Sequence, residues 1–421
     1  MRPRQISVLA IGALLAGCGA AAATGPTTTM PVTVPIAPTA RAGGSPGTSS
    51  VQPLAMASVK PARTSGPSAA RDVSGYRGSS DRAGVMPGPG PVGAPVVRWS
   101  FQATAPIDSQ PVVAGGRVFV VVTDGTVVSL DLVSGTTMWT ARLGVDAHGS
   151  PAVVGSLLLI GADDGAHALA LSSGNPQWAQ PRPGAIRGAP AVVGGLVVFA
   201  SAGGTAVGLD PATGRIRWTA LLGAPNDTSV AAADGTVVVG TTDGTAVALD
   251  PSTGAVRWRT TVDAGARIGT PAIADGRVLL ASLDDGPPGT RHVTALDLAT
   301  GRVVWRFGSP GDRPSYTPAV ADGLAITEGE TGVVTALDKA SGGVRWQASE
   351  PGILEIVPTL VGGTMYGAGN GTVAFALDAA TGRELWRLPI KGVPYAPAIT
   401  GGLELLPTNT GLLYAIGGVV P

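Results

Sequence analysis

The sequence predicts an all-β protein, an eight-bladed β-propeller of four-stranded antiparallel blades, and three observations carry that prediction. Trp99, Trp139, Trp178, Trp218, Trp258, Trp305, Trp346 and Trp386 are the only Trp residues, and they stand at intervals of 40, 39, 40, 40, 47, 41 and 40. A period of about 40 residues is the length of a four-stranded propeller blade. Within each period the same four segments follow in order: a segment led by Pro, a Val-rich run, an Ala-Leu-Asp strand and a Trp strand. Finally, the two ends of the chain complement each other. Seven full units run from Pro111 to Trp386, with Val230 in place of Pro in the fourth, and an eighth starts at Pro397 but stops at Pro421 without its Trp strand. The missing strand is Val96-Val97-Arg98-Trp99-Ser100-Phe101, so joining the ends completes blade eight and removes the open edges that invite aggregation.

The elements inside a unit have local reasons. Gly-Gly or Asp-Gly separates the first two strands, and Asp-Gly, Gly-Gly, Asn-Gly or Thr-Gly usually separates the second and third, as tight hairpins require. Thr245, Val247 and Leu249 alternate with Ala246 and Ala248, which gives the strand one large and one small face, suited to sheets packed face to face around an axis. Helical spacing is absent, which excludes helical solenoids.

Composition excludes several functions. Only 13% of the 421 residues are charged while 44% are hydrophobic, which supports a sizeable core and excludes a coiled coil. Beyond residue 95 the chain carries 20 basic and 26 acidic residues, so the folded part is mildly acidic and no nucleic-acid partner is expected. One Cys rules out a disulfide framework, a Cys-rich metal site and a CxxCH haem attachment, and with three His no metal is expected.

At the N-terminus Arg2 and Arg4 precede the apolar run Ile6 to Leu15, the layout of a secretory signal. Leu15-Ala16-Gly17-Cys18 resembles the lipobox of bacterial lipoproteins, which implies a signal peptide over 1–17, a lipid on Cys18 and an extracytoplasmic, membrane-anchored protein, on the outer membrane if the envelope is Gram-negative. Residues 18–95, rich in Pro, Thr, Ala, Ser and Gly, read as a disordered tether, and 96–421 as the propeller. Deleting Val96 to Phe101 is then expected to cost several kcal/mol, and deleting residues 19–90 little.

The segment Ala248-Leu249-Asp250-Pro251-Ser252-Thr253-Gly254-Ala255-Val256-Arg257-Trp258 resembles the tryptophan-docking motif of the pyrroloquinoline quinone (PQQ) repeat family. Asp131, Asp210, Asp297, Asp338 and Asp378 repeat it, each with Gly four residues on; blade two has Ala170 instead. The resemblance implies that each of the eight Trp covers the neighbouring blade. Two branches of the family differ in function. Quinoprotein dehydrogenases hold PQQ on the axis over a Trp floor, with calcium and an acidic base. Here every Trp belongs to the docking series and no Cys is left for a vicinal disulfide, so no PQQ cofactor and no enzyme activity are expected. The other branch, BamB-type lipoproteins, comprises bare eight-bladed scaffolds, which implies a monomer that binds an envelope protein. An extracytoplasmic sensor or small-ligand binder using the axial funnel is the alternative, and a PQQ-dependent dehydrogenase a more distant one.

The Trp-to-Pro loops and the second hairpin turns share one face of such a propeller. Counting three residues back from each Pro, or from Val230, gives Asp108, His148, Arg187, Asp227, Ile268, Ser315, Glu355 and Pro394, with Arg267 and Tyr395 adjacent. The predicted funnel therefore carries Asp108, His148, Arg187, Asp227, Arg267, Ser315, Glu355 and Tyr395, both charge signs in one ring. The 47-residue interval reflects an insertion in blade five with Asp284, Asp285, Arg291 and His292, a candidate partner loop above the same face. No catalytic constellation has a local signature.

Overall fold

A computed structural model describes residues 71–282, 292–308, 317–350, 357–369 and 373–419. Cys18, the signal, residues 18–70, Asp284, Asp285, Arg291, Ser315 and Glu355 lie outside the described residues. Thirty-two strands, from Ala94–Gln102 to Leu412–Val419, form eight antiparallel four-stranded sheets among the described residues. In each blade a three-residue strand such as Val112–Ala114 or Ala231–Ala233 lines the axis, and from blade one to blade seven each touches the next. The Trp strand lies outermost. Val247 and Leu249 pack into the layer between blades three and four, and Ala246 and Ala248 into the next, so the alternation read from the sequence fills both faces of a blade.

Blade eight closes as expected. Ala94–Gln102 pairs antiparallel with Leu412–Val419, from Ala94 opposite Val419 to Gln102 opposite Leu412, and the strand begins two residues earlier than Val96.

The docking motif works through two contacts. Seven Trp side chains donate Nε1–H to a carbonyl in the next blade's turn. Trp99 reaches Leu132 O at 3.1 Å, Trp139 reaches Leu171 O at 3.2 Å and Trp178 reaches Pro211 O at 2.9 Å. Trp218 reaches Pro251 O at 2.8 Å, Trp258 reaches Leu298 O at 2.9 Å, Trp305 reaches Lys339 O at 2.9 Å and Trp346 reaches Ala379 O at 3.0 Å. The eight are not equally covered: Trp218, Trp258 and Trp305 are buried, whereas Trp99, Trp139, Trp178, Trp346 and Trp386 are half-buried, because the outermost strand leaves part of each ring to solvent. Trp386 packs against blade eight but has no such bond among the described residues. It faces the seam, where blade eight has chain ends in place of that turn, and it meets Tyr366 edge-on, with ring centroids 6.0 Å apart.

The motif Gly sits under the indole: a Cβ on Gly254 would lie 2.5 Å from Trp218, and Gly174, Gly214, Gly342 and Gly382 stand equally close to Trp139, Trp178, Trp305 and Trp346. Asp250 Oδ1 accepts from the backbone N–H groups of Ser252 and Thr253, both at 3.0 Å. Blade two needs no Asp, because Gly174 N–H still donates to Ala170 O at 2.8 Å and closes the same turn.

The tether assignment is corrected from residue 71 onward. Residues 71–89 run round the axial channel against all eight blades. The middle residue of seven inner strands donates its N–H to this segment: Val113 to Val73 O, Val153 to Ser74 O, Val192 to Ser80 Oγ, Ala232 to Ser80 O, Ile273 to Asp81 O, Val320 to Ala83 O and Leu360 to Gly84 O, at 2.7–2.9 Å. In blade eight Gly402 N–H reaches Pro89 O and Thr400 bonds Arg71. Gly and small residues, which read as a chain unable to fold, serve here as close fit. A Cβ on Gly78 would lie 2.0 Å from Val85 O, on Gly88 2.4 Å from Val361, and on Gly90 2.0 Å from the Tyr366 hydroxyl. The segment has little core of its own and orders by pairing with strand edges that already exist.

Glu404, on the second strand of blade eight, is fully buried within electrostatic reach of Tyr366, and neither carboxylate oxygen has a hydrogen-bond partner among the described residues. Burial pushes its carboxyl up to about 8. The unfolded value is near 4.3. Between those values the folded state binds more protons than the unfolded one, so this group makes stability fall as pH rises from about 4 to about 8, with no further slope above. Glu404→Gln is expected to flatten that fall and to stabilise the protein by a few kcal/mol at pH 8, read from urea unfolding at about pH 5, 7 and 9; an unchanged slope contradicts it.

Candidate functional site

The inner strands start on the face that carries the Trp-to-Pro loops, and there the channel opens into a cup of about 210 Å3. Its wall includes Asp108, His148, Arg187 and Asp227, four of the predicted ring residues, and its lining includes Tyr76 of the axial segment. His148 Nδ1 lies 2.8 Å from Asp108 Oδ2. Burial raises the Asp108 carboxyl above its ordinary range, opposed by the His148 contact. Arg267 Nη1 donates to Asp227 Oδ2 at 3.0 Å. Arg187 Nε is 3.7 Å from Asp163 Oδ1, with about half of its side chain exposed, a contact too long and too wet to hold it.

The register in blade five differs from that expected. Ile268, three residues before Pro271, is fully buried in the core, and its N–H donates to Thr241 O as Ile107 N–H does to Thr408 O. Its loop is one residue shorter, so Gly269 takes the cup position, and Arg267 stands beside the ring with a bond to Asp227. In blade eight Pro394 is the buried counterpart and Tyr395 stands in the register of Gly269: Tyr395 N–H donates to Pro407 O and Gly269 N–H to Ala281 O, both at 2.9 Å.

Sequence reasoning missed the floor and an inner ring of hydroxyls. Gln110 N–H donates to Ser150 Oγ at 2.8 Å, Ala189 N–H to Ser229 Oγ at 2.9 Å and Ser229 N–H to Thr270 Oγ1 at 3.1 Å, each bond joining one blade to the next. The signal was present, since Ser150, Ser229, Thr270 and Thr317 all directly precede Pro or Val230. Tyr76 had no such signal, because it lies outside the repeats.

His292, at the base of the blade-five insertion, places Nδ1 3.4 Å from Asp263 Oδ2, and Arg306 Nη1 lies 3.3 Å from Asp263 Oδ1. Asp263 belongs to a Trp-to-Pro loop, so His292 stands on the cup's side of blade five, and the rest of the candidate partner loop, residues 283–291, lies outside the described residues. Among the described residues no group of three His, Cys, Asp or Glu side chains could hold a metal ion, and no helix is long and apolar enough to cross a membrane.

The family model of the outer membrane protein assembly factor BamB matches residues 96–230, 222–349 and 289–416. No curated protein sequence matches the chain. Among solved structures, BamB from Moraxella catarrhalis is 20% identical with a TM-score of 0.65, over 77% of this chain and 100% of that one. The quinohemoprotein alcohol dehydrogenase of Comamonas testosteroni is 15% identical with a TM-score of 0.67, over 83% and 81%. The computationally designed Ika8 protein is 16% identical with a TM-score of 0.64, over 75% and 96%. At these identities the likeness is one of fold, shared by a protein named for assembly, an enzyme and a design.

Proposed function

Because the chain belongs to the family of the outer membrane protein assembly factor BamB, which its repeats match across residues 96–416, we propose that it is a non-catalytic scaffold of the cell envelope that docks a protein partner on the cup face. The observation that carries this reading is the unlike ring of Asp108, His148, Arg187 and Asp227 around one cup, set against opposite-face turns that repeat nearly the same Asp-x-x-x-Gly chemistry in most blades. Identical turns cannot orient an asymmetric partner; a ring of unlike groups can. Arg187 is the contact group of choice, since it is half exposed and weakly held.

Arg187→Ala is expected to weaken partner binding by about 2 kcal/mol, roughly 30-fold, at the lower end for a charged interface group because solvent and salt reach the cup. The measurement is capture from detergent-solubilised envelopes followed by titration of the recovered protein, beside Thr213→Ala on the opposite face. Weakening by the control alone would reverse the assignment of faces. Recovery of a small molecule without protein would favour the second reading, a ligand binder, which the half-open cup with Tyr76 in its lining supports.

PQQ does not fit this axis. Tyr76 to Ala83 occupy the level of the inner strands, and all eight Trp stand in the docking series. Stoichiometric PQQ binding by the full-length protein would count against the scaffold. Attachment through Cys18 belongs to the same proposal: Cys18→Ser is expected to release the protein from membranes or leave the signal uncleaved, as read by fractionation and intact mass.

A further inference from the structure

The axial segment is held as a ligand is held. Its bonds go chiefly to the propeller, along strand edges that exist without it, and two arginines anchor it. Arg77 and Arg82 are each 1% exposed and both stand in the left-handed backbone region, at φ 56° and 59°. That conformation costs a side-chain-bearing residue about 1–3 kcal/mol and persists only where the surroundings impose it. Arg77 donates Nε–H to Arg82 O at 2.8 Å and Nη2–H to Pro318 O at 2.6 Å. Arg82 donates Nε–H to Val230 O at 3.0 Å, Nη1–H to Tyr76 O at 2.6 Å and Nη2–H to Pro190 O. Its guanidinium also lies 5.7 Å from the Tyr76 ring centroid, under the floor of the cup.

We infer that the axial channel is a peptide-binding site, selective for a Tyr-Arg-Gly turn with a second arginine five residues after the first, and that the chain fills it in cis with residues 73–89. The channel offers one N–H from the middle of each of seven inner strands, and carbonyls from the start of blades three, four and six that converge on the guanidinium groups. The carbonyls of Val73, Ser74, Ser80, Asp81, Ala83 and Gly84, with Ser80 Oγ, answer the first set. The planar fork of Arg answers the second: Arg82 bonds the Val230 and Pro190 carbonyls together with those of Tyr76 and Ser79, and Arg77 joins Pro318 O to Arg82 O, several acceptors in fixed directions that the point donor of Lys cannot serve at once. The segment also makes the cup blind, so nothing passes along the axis while it is seated, and a second segment of the same chemistry, including one from another copy of the chain, competes for one site.

The test uses the full-length protein with a protease recognition sequence inserted between Val92, which is 65% exposed, and Gly93. After folding, the chain is cut in detergent and passed through gel filtration. The fragment up to the cut is expected to stay with the propeller. In the Arg77→Ala, Arg82→Ala double variant it is expected to leave about 100-fold faster, from the loss of charge-assisted bonds to buried carbonyls. Should that variant fail to fold, exchange decides: a labelled synthetic peptide of residues 71–90 is expected to enter the cut wild-type protein, and the same peptide with Lys at both positions is not. Immediate release of the wild-type fragment, equal retention by the folded double variant, or equal entry of the Lys peptide would overturn the assignment.

Discussion

Deletion of residues 71–90, with the rest of the chain intact, is expected to destabilise the propeller by about 3–6 kcal/mol. Val73 is fully buried and Met86 is 4% exposed, both in the core cluster that links blades one, seven and eight. Full burial of each such side chain contributes about 1.5–3 kcal/mol. The inner-strand N–H groups would pass to water, so their bonds add little to the net figure. Ser79→Ala, on an exposed side chain of the same segment, is expected to change stability by less than about 0.5 kcal/mol. Urea unfolding followed by Trp fluorescence makes the measurement, and a deletion as stable as the parent would contradict it. This reverses what composition suggested for residues 19–90. Deleting Val96 to Phe101 remains costly, since it removes the outer strand of blade eight and Trp99, whose Nε1–H donates to Leu132 O at 3.1 Å.

Gly254→Val is expected to be among the most damaging single substitutions, costing more than about 4 kcal/mol and leaving the protein poorly folded. Two effects combine. Gly254 stands at φ 72°, where a β-branched residue is strained by about 1–3 kcal/mol. The new Cβ would also lie 2.5 Å from Trp218 Cε3 and 2.8 Å from Cδ2, so the indole, 7% exposed, must leave its seat. Losing a buried aromatic from its place costs about 3–5 kcal/mol. Gly276 separates the two effects. It has φ 71° but nothing within 4 Å of an added Cβ, so Gly276→Ala carries the backbone strain alone. Equal losses at the two positions would show that the indole contact contributes nothing.

What was legible came from repetition. A Trp every 40 residues, an Asp and Gly at fixed distance before it and a turn between each pair of strands are local features copied around a ring, and each copy confirms the others. The strand order, the closure by Val96 to Phe101 and four of the cup residues followed from counting. Counting failed in blade five, where one residue fewer in the loop moved Ile268 into the core and gave its place to Gly269. Trp386 covers the neighbouring blade as its fellows do, packing against Leu406, Tyr414 and Ile416, although it lacks their bond to a turn.

The sequence by itself determined the eightfold architecture, its closure and the face on which the blades differ. These depend on short-range patterns: turn chemistry, strand alternation and the size of Gly beside Trp. Only the tertiary structure decided the place of residues 71–89. The partners of Val73, Ser80, Asp81 and Gly84 are strand edges 40 to nearly 300 residues away, brought into one channel by ring closure. A segment without a core of its own carries no periodicity, and its fold exists only where those edges converge.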